Sequence, residues 1–215
     1  MAKVISADQA MSHINDAAVV MIGGFLACGT PETLIDGMVK KGVKDLTVIA
    51  NDSGFPERGI GKLVVAKQVK KLVATHIGTN PETGNQMNAK TMEVVLVPQG
   101  TLAEQIRAGG AGLGGILTPT GIGTVVAEGK QVVVVDGKEY LLEKAVKADI
   151  ALIKAYKADE KGNLVFRKSA RNFNPMMATA AETVIAEVEM IVPVGQIDAD
   201  EVMVPGIFVD YLVKG

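Results

Sequence analysis

The chain has few of the residues on which several classes of function depend. Its 215 residues include one cysteine, two histidines and no tryptophan, and aromatic residues make up only 4%. A single cysteine excludes an internal disulfide and is typical of a reducing compartment. Because two histidines and one cysteine are too few for a histidine–cysteine metal site, we expect no metal.

Charge of one sign is also lacking. Lys and Arg total 22 and Asp and Glu total 24, so the formal net charge is −2. This balance favours neither nucleic acid nor a membrane surface as a partner. No run approaches the about 20 apolar residues of a membrane span, and residues 1–6 contain no hydrophobic signal segment. We therefore expect a soluble, cytoplasmic protein.

What is abundant is apolar residues, at 48%, and glycine, with 24 residues. The first half alternates apolar runs with helical patterns, beginning with a capping box at Ser6 and Gln9. Strands are predicted at residues 18–22, 46–50, 71–75 and 94–97, and helices at about 31–41, 60–68 and 85–91. Because these strands are apolar throughout, they are typical of a parallel sheet covered on both faces.

The second half is predicted to be rich in β-hairpins. Asp136 and Gly137 have the residue types of a type I′ turn between strands at 131–135 and 139–142. A strand at 150–153, a hairpin turn at 159–163, a helix at 176–182 and a strand at 184–192 follow. No linker or internal repeat is apparent. We therefore expect one α/β domain over residues 1–215, with an open, mainly parallel sheet, helices on both faces and a hairpin-rich C-terminal portion.

The joint between the first buried strand and its helix, residues 23–31, is the most informative segment. Gly23 and Gly24 permit positive φ and leave room for a ligand against the backbone. Thr30 is predicted to cap the helix, with Pro31 at its first position. The free N–H groups of such a joint attract a phosphate or a developing oxyanion.

Small, amide-bearing and hydroxyl-bearing residues also follow the next three strands, at residues 51–54, 76–81 and 98–101. In open α/β sheets the ligand crevice lies outside the carboxyl ends of the strands, so we expect a binding site along this edge. Seven glycines between residues 109 and 123 add to the expectation. Their high ordering cost indicates a ligand or a closely packed surface against the backbone.

No residue stands out as a nucleophile. Gly110, Gly112 and Gly115 have the spacing of a dinucleotide-binding loop, but no helix follows them. Cys28 is more readily a small buried residue in a tight loop than an activated thiol. His76 suits a structural role as well as a catalytic one. We therefore expect the reactive group to come from another chain.

Three segments carry a family resemblance: residues 22–25 with Gly29 and Pro31, residues 97–112 continuing to 118–121, and residues 170–175. They resemble the family I coenzyme A transferases, in their alpha subunit, over nearly the whole chain. Segments 50–52, 59–61 and 76–84 are most similar to the acetate/acetoacetate and butyrate/acetoacetate enzymes. The resemblance implies a coenzyme A transferase-like fold.

The resemblance also implies a ping-pong exchange of coenzyme A between a short-chain acyl-CoA and a free carboxylate. In two-subunit members a glutamate of the beta subunit, in a Ser-Glu-Asn-Gly segment absent here, forms the glutamyl-CoA thioester. It implies a heterotetramer of two alpha and two beta chains. Coenzyme A is then a substrate, and no cofactor is permanently bound.

The same resemblance assigns roles within this chain. Gln99 is the implied oxyanion donor, and Gly23 and Asn51 are implied to contact the substrate. The residues implied to contact coenzyme A are Gly24, Phe25, Leu26, Ala27, Cys28, Gly29 and Thr30. For Phe25 core packing is an alternative, and for Asn51 turn chemistry. Arg171 and Asn174 lie in the matching segment 170–175. A structural role is the alternative to a role in the site for both, since Asn174-Pro175 is also a good helix start.

Two other interpretations stay open at this point. A sugar-phosphate isomerase or related phosphate binder has a similar open α/β fold, but it needs an acid/base pair that this sequence does not show. A non-catalytic subunit that only binds an acyl-CoA is the second alternative.

Overall fold

The computed structural model describes residues 2–215, which contain twelve strands and six α-helices. The strands are β1 Lys3–Val4, β2 Val19–Ile22, β3 Leu46–Ile49, β4 Val69–Ala74, β5 Glu93–Leu96, β6 Gly115–Thr118, β7 Val132–Val135, β8 Lys138–Lys144, β9 Ala148–Asp159, β10 Leu164–Val165, β11 Ala181–Val192 and β12 Tyr211–Lys214. The helices are α1 Ala7–Ala10, α2 Glu32–Lys41, α3 Gly61–Val65, α4 Pro81–Asn88, α5 Gln99–Gly110 and α6 Asn174–Met177. Among these described residues, no helix has the length and apolar character needed to cross a membrane.

The main sheet is nine-stranded and almost wholly parallel. Its order is β1-β12-β11-β9-β2-β3-β4-β5, with β10 paired antiparallel to β9. Strands β2, β3, β4 and β5 are therefore neighbours, and each pair among them is parallel. This confirms that the first four predicted core strands end at one edge of one sheet.

Both faces of the sheet are covered, which explains why its strands are apolar throughout. One core contains Leu34 of α2 and Leu63 of α3, packed with Leu152 of β9. The other contains Leu102 of α5 and Met177 of α6, packed with residues from the opposite face of β9. All five named side chains have no exposed surface.

The start of α1, the end of α2 and the turn between β7 and β8 agree with the predictions made from local sequence. The Ser6 hydroxyl accepts a hydrogen bond from the Gln9 N–H (3.1 Å), and the Gln9 side chain accepts one from the Ser6 N–H (2.9 Å). Helix α2 ends at Gly42, whose φ of 72° is the left-handed conformation that favours glycine. The turn at residues 136–137 has φ of 50° and 76°, which confirms the type I′ hairpin between β7 and β8.

Three helix predictions were wrong in extent. Helix α4 begins at Pro81 and not near residue 85, because the Asn80 side chain accepts a hydrogen bond from the Glu82 N–H (3.1 Å). Helix α3 ends at Val65, three residues early. Helix α6 covers only Asn174–Met177, since the chain extends into β11 from Ala181.

The second half contributes to both sheets. Strands β9, β11 and β12 extend the parallel sheet of the first half, with β9 between β2 and β11. Only β6, β8 and β7 form a separate antiparallel sheet. The hairpin prediction at 159–163 is confirmed, because Leu164 of β10 pairs with Ala158 of β9.

Several glycines of the glycine-rich segment are packed closely against other parts of the chain. A Cβ on Gly109 would lie 2.1 Å from the Val146 carbonyl oxygen, and one on Gly110 would lie 2.0 Å from Thr179 Oγ1. Gly115 begins β6, where a Cβ would lie 2.4 Å from a carbonyl oxygen of β8. Close intramolecular packing therefore explains these glycines. The strand after them supports setting the dinucleotide-loop interpretation aside.

Candidate active site

Two matching turns rise from neighbouring strands at the carboxyl edge of the main sheet. After β2, Phe25 and Cys28 exchange backbone hydrogen bonds of 3.0 and 2.8 Å. After β3, Phe55 and Arg58 exchange a pair of 3.1 Å each. Both turns have the sequence G-F-x-x-x-G, at residues 24–29 and 54–59. The expectation of no internal repeat was therefore wrong over these two short segments.

A narrow cleft with a cavity volume of about 10 Å³ lies between the two turns. The residues that line it come from the ends of β2 and β3, the two turns and the residues that follow them: Ile22, Gly23, Gly24, Ala27, Thr30, Ala50, Asn51, Asp52, Gly54, Gly59 and Ile60. This volume is room for about one water molecule, so the cleft of this chain alone does not enclose a complete small molecule.

The buried carboxylate of Asp52 joins the two turns. Its Oδ1 accepts a hydrogen bond from the Gly54 N–H (2.9 Å), and its Oδ2 accepts one from the Leu26 N–H (2.8 Å). A third donor, Asn51 Nδ2, also reaches Oδ2 at 2.8 Å. Sequence reasoning missed Asp52, although an Asp two residues before a Gly is the signal of the local turn it forms.

The side chain of Asn51 connects the Asp52 carboxylate to Gln99 through hydrogen bonds at its two ends. Because Asn51 Nδ2 must face the Asp52 carboxylate, Asn51 Oδ1 points the other way and accepts from Gln99 Nε2 (2.6 Å) and Thr75 Oγ1 (3.2 Å). The structure thus brings together Asn51 and Gln99, which sequence reasoning selected separately. Both ends of the Asn51 amide are engaged. Gln99, exposed at the start of α5, keeps its second Nε2 hydrogen available.

Backbone donors face the cleft from the first turn. Within residues 2–215, the N–H groups of Gly24 and Ala27 have no hydrogen-bond acceptor, and both residues line the cleft. Leu26 and Ala27 hold positive φ of 47° and 63°, a strained conformation that costs on the order of 1 kcal/mol per residue. Such strain persists only where surrounding contacts impose it, as Asp52 does at Leu26.

The glycines of the joint make room for protein atoms and not only for a ligand. A Cβ on Gly23 would lie 1.8 Å from Asn174 Oδ1, and one on Gly24 would lie 2.1 Å from Thr30 Oγ1. A Cβ on Gly29, whose φ is 70°, would lie 2.8 Å from the backbone of Ala170. The predicted open backbone at Gly23 and Gly29 is therefore filled by the chain's own residues.

Thr30 does not cap α2, contrary to the sequence prediction. The helix begins at Glu32, Pro31 occupies the cap position, and no side chain caps the helix. Thr30 is buried, with its hydroxyl packed behind Gly24. Its role in this structure is to support the first turn.

Cys28 and Phe25 are both exposed. The preferred interpretation of Cys28 as a buried residue was wrong: its Sγ lies 3.3 Å from Ser169 Oγ at the surface. It also precedes Glu32, the first residue of α2, by four residues. Phe25 is 41% exposed and belongs to neither core cluster, which excludes the core-packing alternative.

Asn174 is a structural residue that holds the first turn to the second half. Its Nδ2 donates to the carbonyl oxygens of Gly29 (2.9 Å) and Ala170 (2.8 Å), and its Oδ1 accepts from the Lys154 N–H (2.9 Å). The side chain is fully buried. Arg171 and His76 have exposed side chains.

A second carboxylate near the cleft, that of Glu32, is also engaged. Glu32 Oε1 accepts from the Gly59 N–H (2.8 Å), and Oε2 lies 2.7 Å from Lys62 Nζ. Partial burial lowers the pKa of Lys62, but hydrogen bonds and charges from Asp36 and Glu32 outweigh it and raise this pKa above 10.5. Within residues 2–215, the cleft lining offers no carboxylate without a partner. The same residues contain no group of three His, Cys, Asp or Glu arranged to hold a metal.

Comparison with known proteins assigns this arrangement to a family. The family model described as "Coenzyme A transferase" matches residues 4–215. The chain belongs to the coenzyme A transferase family. The open parallel sheet, the turns at its carboxyl edge and the separate antiparallel sheet are thus this family's fold in this chain.

Relatives of known name are similar over their whole length. The alpha subunit of the Acetate CoA-transferase of Escherichia coli K12 is 50% identical over 98% of this chain and 96% of that protein. One of the subunits of the Succinyl-CoA:3-ketoacid coenzyme A transferase of Helicobacter pylori J99 is 52% identical over 100% of this chain and 93% of that protein. The two names specify different acids.

A solved structure of a chain about twice as long is similar to this one. The acyl-CoA transferase YdiF of E. coli O157:H7, in a thioester complex with CoA, superimposes with a TM-score of 0.90 at 26% identity. The alignment covers 100% of this chain and 47% of that one. The chain thus spans about half the length of this structural relative.

The Asp52 network yields a direct test. In Asp52→Asn, one side-chain oxygen becomes an amide donor that faces the N–H groups the carboxylate accepts from. We expect the free energy of unfolding in urea to fall by about 1–3 kcal/mol, the usual effect of an unsatisfied buried donor. Asp45→Asn, on an exposed residue without a side-chain partner, is the control. Equal stability of both variants would show that Asp52 does not hold the turns.

Proposed function

We propose that this chain is the alpha subunit of a two-subunit coenzyme A transferase that moves coenzyme A between a short-chain acyl-CoA and a free carboxylate. The observation that carries the proposal is the cleft at the sheet edge. Its lining contains the backbone N–H groups of Gly24 and Ala27 and the engaged carboxylate of Asp52, and the Gln99 amide is hydrogen-bonded to the lining residue Asn51. The names of the two relatives at about 50% identity support this class of reaction and this subunit role.

The missing nucleophile is a glutamate of a beta subunit in this proposal. Its carboxylate attacks the thioester carbonyl, giving an acyl-glutamyl anhydride and releasing the coenzyme A thiolate. The thiolate attacks the glutamyl carbonyl, which releases the carboxylic acid as its anion and leaves a glutamyl-CoA thioester. A second acid then reverses these steps, so coenzyme A is a substrate and no bound cofactor is needed.

Gln99 and the first turn stabilise the charge that develops in these steps. The free Nε2 hydrogen of Gln99 donates to the oxyanion, while Asn51 Oδ1 holds the other and fixes the amide plane. The N–H groups of Gly24 and Ala27 add backbone donors from the opposite turn. Removal of one such donor usually lowers turnover about 10²–10³-fold.

The names of the two relatives support short acyl groups, since one specifies acetate and the other a 3-ketoacid. In this proposal the group is acetyl, acetoacetyl or butyryl, and the nucleotide of coenzyme A stays outside the narrow cleft. Phe25 and Leu26, exposed on the tip of the first turn, contact the arm of coenzyme A together with Cys28 and Gly29. We place the reaction in the cytoplasm, in the metabolism of short-chain fatty acids and acetoacetate.

The length difference from YdiF supports the beta partner. That single chain is about twice as long as this one, so a second polypeptide takes the place of the remaining half. Two alpha and two beta chains form the assembly in this proposal. The sugar-phosphate isomerase alternative is disfavoured, because the family model covers residues 4–215 and the engaged carboxylates leave no acid/base pair.

The division of labour between subunits gives the first kinetic prediction. We expect no acetoacetyl-CoA:acetate exchange by the purified chain, and exchange after addition of a beta subunit, measured by loss of acetoacetyl-CoA absorbance. Robust exchange by the chain alone would contradict the proposal. Binding of acyl-CoA without exchange in the assembled complex would instead support a non-catalytic binding subunit.

Substitution of Gln99 tests the oxyanion role. In the assembled enzyme, Gln99→Ala should lower kcat about 10²–10³-fold, because one preorganised donor is lost. Its elution volume with beta should be unchanged, since Gln99 is exposed. Gln196→Ala, at an exposed position in the turn after β11 and with no hydrogen bond to the residues that line the cleft, is the matched control. A Gln99→Ala enzyme with the kinetics of the control would remove Gln99 from the site.

A further inference from the structure

Strand β7 is an unprotected edge of the smaller sheet. It consists of four valines and has a single neighbour, β8. Val132, Val134 and Val135 are 46%, 63% and 41% exposed. Native edge strands are usually blocked by lysine, proline or a bulge, because their free N–H and C=O groups are a template for another chain. The valine run of β7 contains none of these.

The hairpin geometry shows which backbone groups of β7 are free. The two-residue turn at 136–137 closes the hairpin, so odd-numbered residues of β7 bond to β8 and even-numbered ones point outward. A hydrogen bond from β8 to the Gln131 carbonyl (2.9 Å) follows the same alternation. Val132 and Val134 therefore direct their N–H and C=O groups away from the protein.

We propose that β7 pairs antiparallel with β7 of a second copy of this chain, about a twofold axis at Val133. In this register Val132 of each copy lies opposite Val134 of the other, and their outward groups form four hydrogen bonds. Two identical strands in antiparallel pairing are self-complementary, which an isologous dimer requires. The two small sheets then become one six-stranded sheet.

The charges of the flanking residues favour this register over another one in which the outward N–H and C=O groups of β7 are also paired. With the axis at Val133, Lys130 of each copy lies opposite Asp136 of the other. With the axis at Val134, Lys130 would lie opposite Lys138, and like charges directly opposite are destabilising. Within its own copy, Lys130 Nζ lies 2.5 Å from the buried Glu143 carboxylate. Its side chain is still 31% exposed, so it is also accessible to Asp136 of the other copy.

The dimer is weak by its size. A four-residue strand pair buries far less surface than the about 1,600 Å² of a standard interface. We therefore expect the dissociation constant of the dimer to be micromolar or higher. Within an assembly that already holds two copies of this chain, the same pairing is strengthened by their high effective concentration.

Sedimentation equilibrium of the full chain tests the pairing, from about 5 μM to about 500 μM. We expect a concentration-dependent dimer for the wild type. Because Val134 of each copy lies opposite Val132 of the other, Val134→Lys puts a lysine into both of these pairs. We expect the dissociation constant of the dimer to rise about tenfold or more. Ile207→Lys, at an 87% exposed apolar residue outside the smaller sheet, is the matched control and should leave the dimer unchanged.

Cysteine scanning tests the register in a Cys28→Ser background. Val133→Cys places two thiols opposite each other in a non-hydrogen-bonded pair, with Cα atoms about 4.5 Å apart, within disulfide range. Val132→Cys places them about 8 Å apart, beyond that range. We therefore expect oxidation to cross-link the Val133→Cys chain and not the Val132→Cys chain.

Several results would overturn the proposal. They are a strictly monomeric wild type over this range, a dimer that Val134→Lys and Ile207→Lys affect equally, and preferential cross-linking of Val132→Cys. A further one is a loss of affinity for the beta subunit in Val134→Lys with no change in self-association. That result would assign the valine edge to beta.

Discussion

The candidate site depends on the buried carboxylate of Asp52. Three donors converge on its two oxygens, one from each turn and one from the neighbouring Asn51 amide. An amide has one acceptor atom and one donor atom, so the carboxylate decides which way Asn51 is turned. The orientation of Gln99 follows from that choice. One acidic side chain therefore joins both walls of the cleft and orients the Asn51 amide, to which Gln99 is hydrogen-bonded.

The carboxylates of Asp52 and Glu32 hold the two turns, because each accepts a hydrogen bond from a backbone N–H group. In the proposed function this is why the attacking carboxylate comes from another chain. The strained φ values of Leu26 and Ala27 are kept by the same contacts. The two turns are thus held in one arrangement by the chain's own contacts, in a member of the coenzyme A transferase family.

Sequence reasoning succeeded where a signal was local. The capping box at Ser6, the stop at Gly42 and the type I′ turn at 136–137 depend on neighbours in the chain, and all are confirmed. It failed where the cause was distant: the insertion of β9 between β2 and β11 depends on pairing across more than 100 residues. Likewise Asn174, from the other end of the chain, fills the space beside Gly23.

The central claim is that this chain positions and stabilises while another polypeptide forms the covalent bond. The most direct measurement is to incubate the assembled complex with acetoacetyl-CoA, reduce it with borohydride and map the modified peptides of both chains by mass spectrometry. The account predicts a reduced glutamate on the partner and an unmodified alpha chain. A reduced Asp or Glu on this chain, with none on the partner, would contradict it.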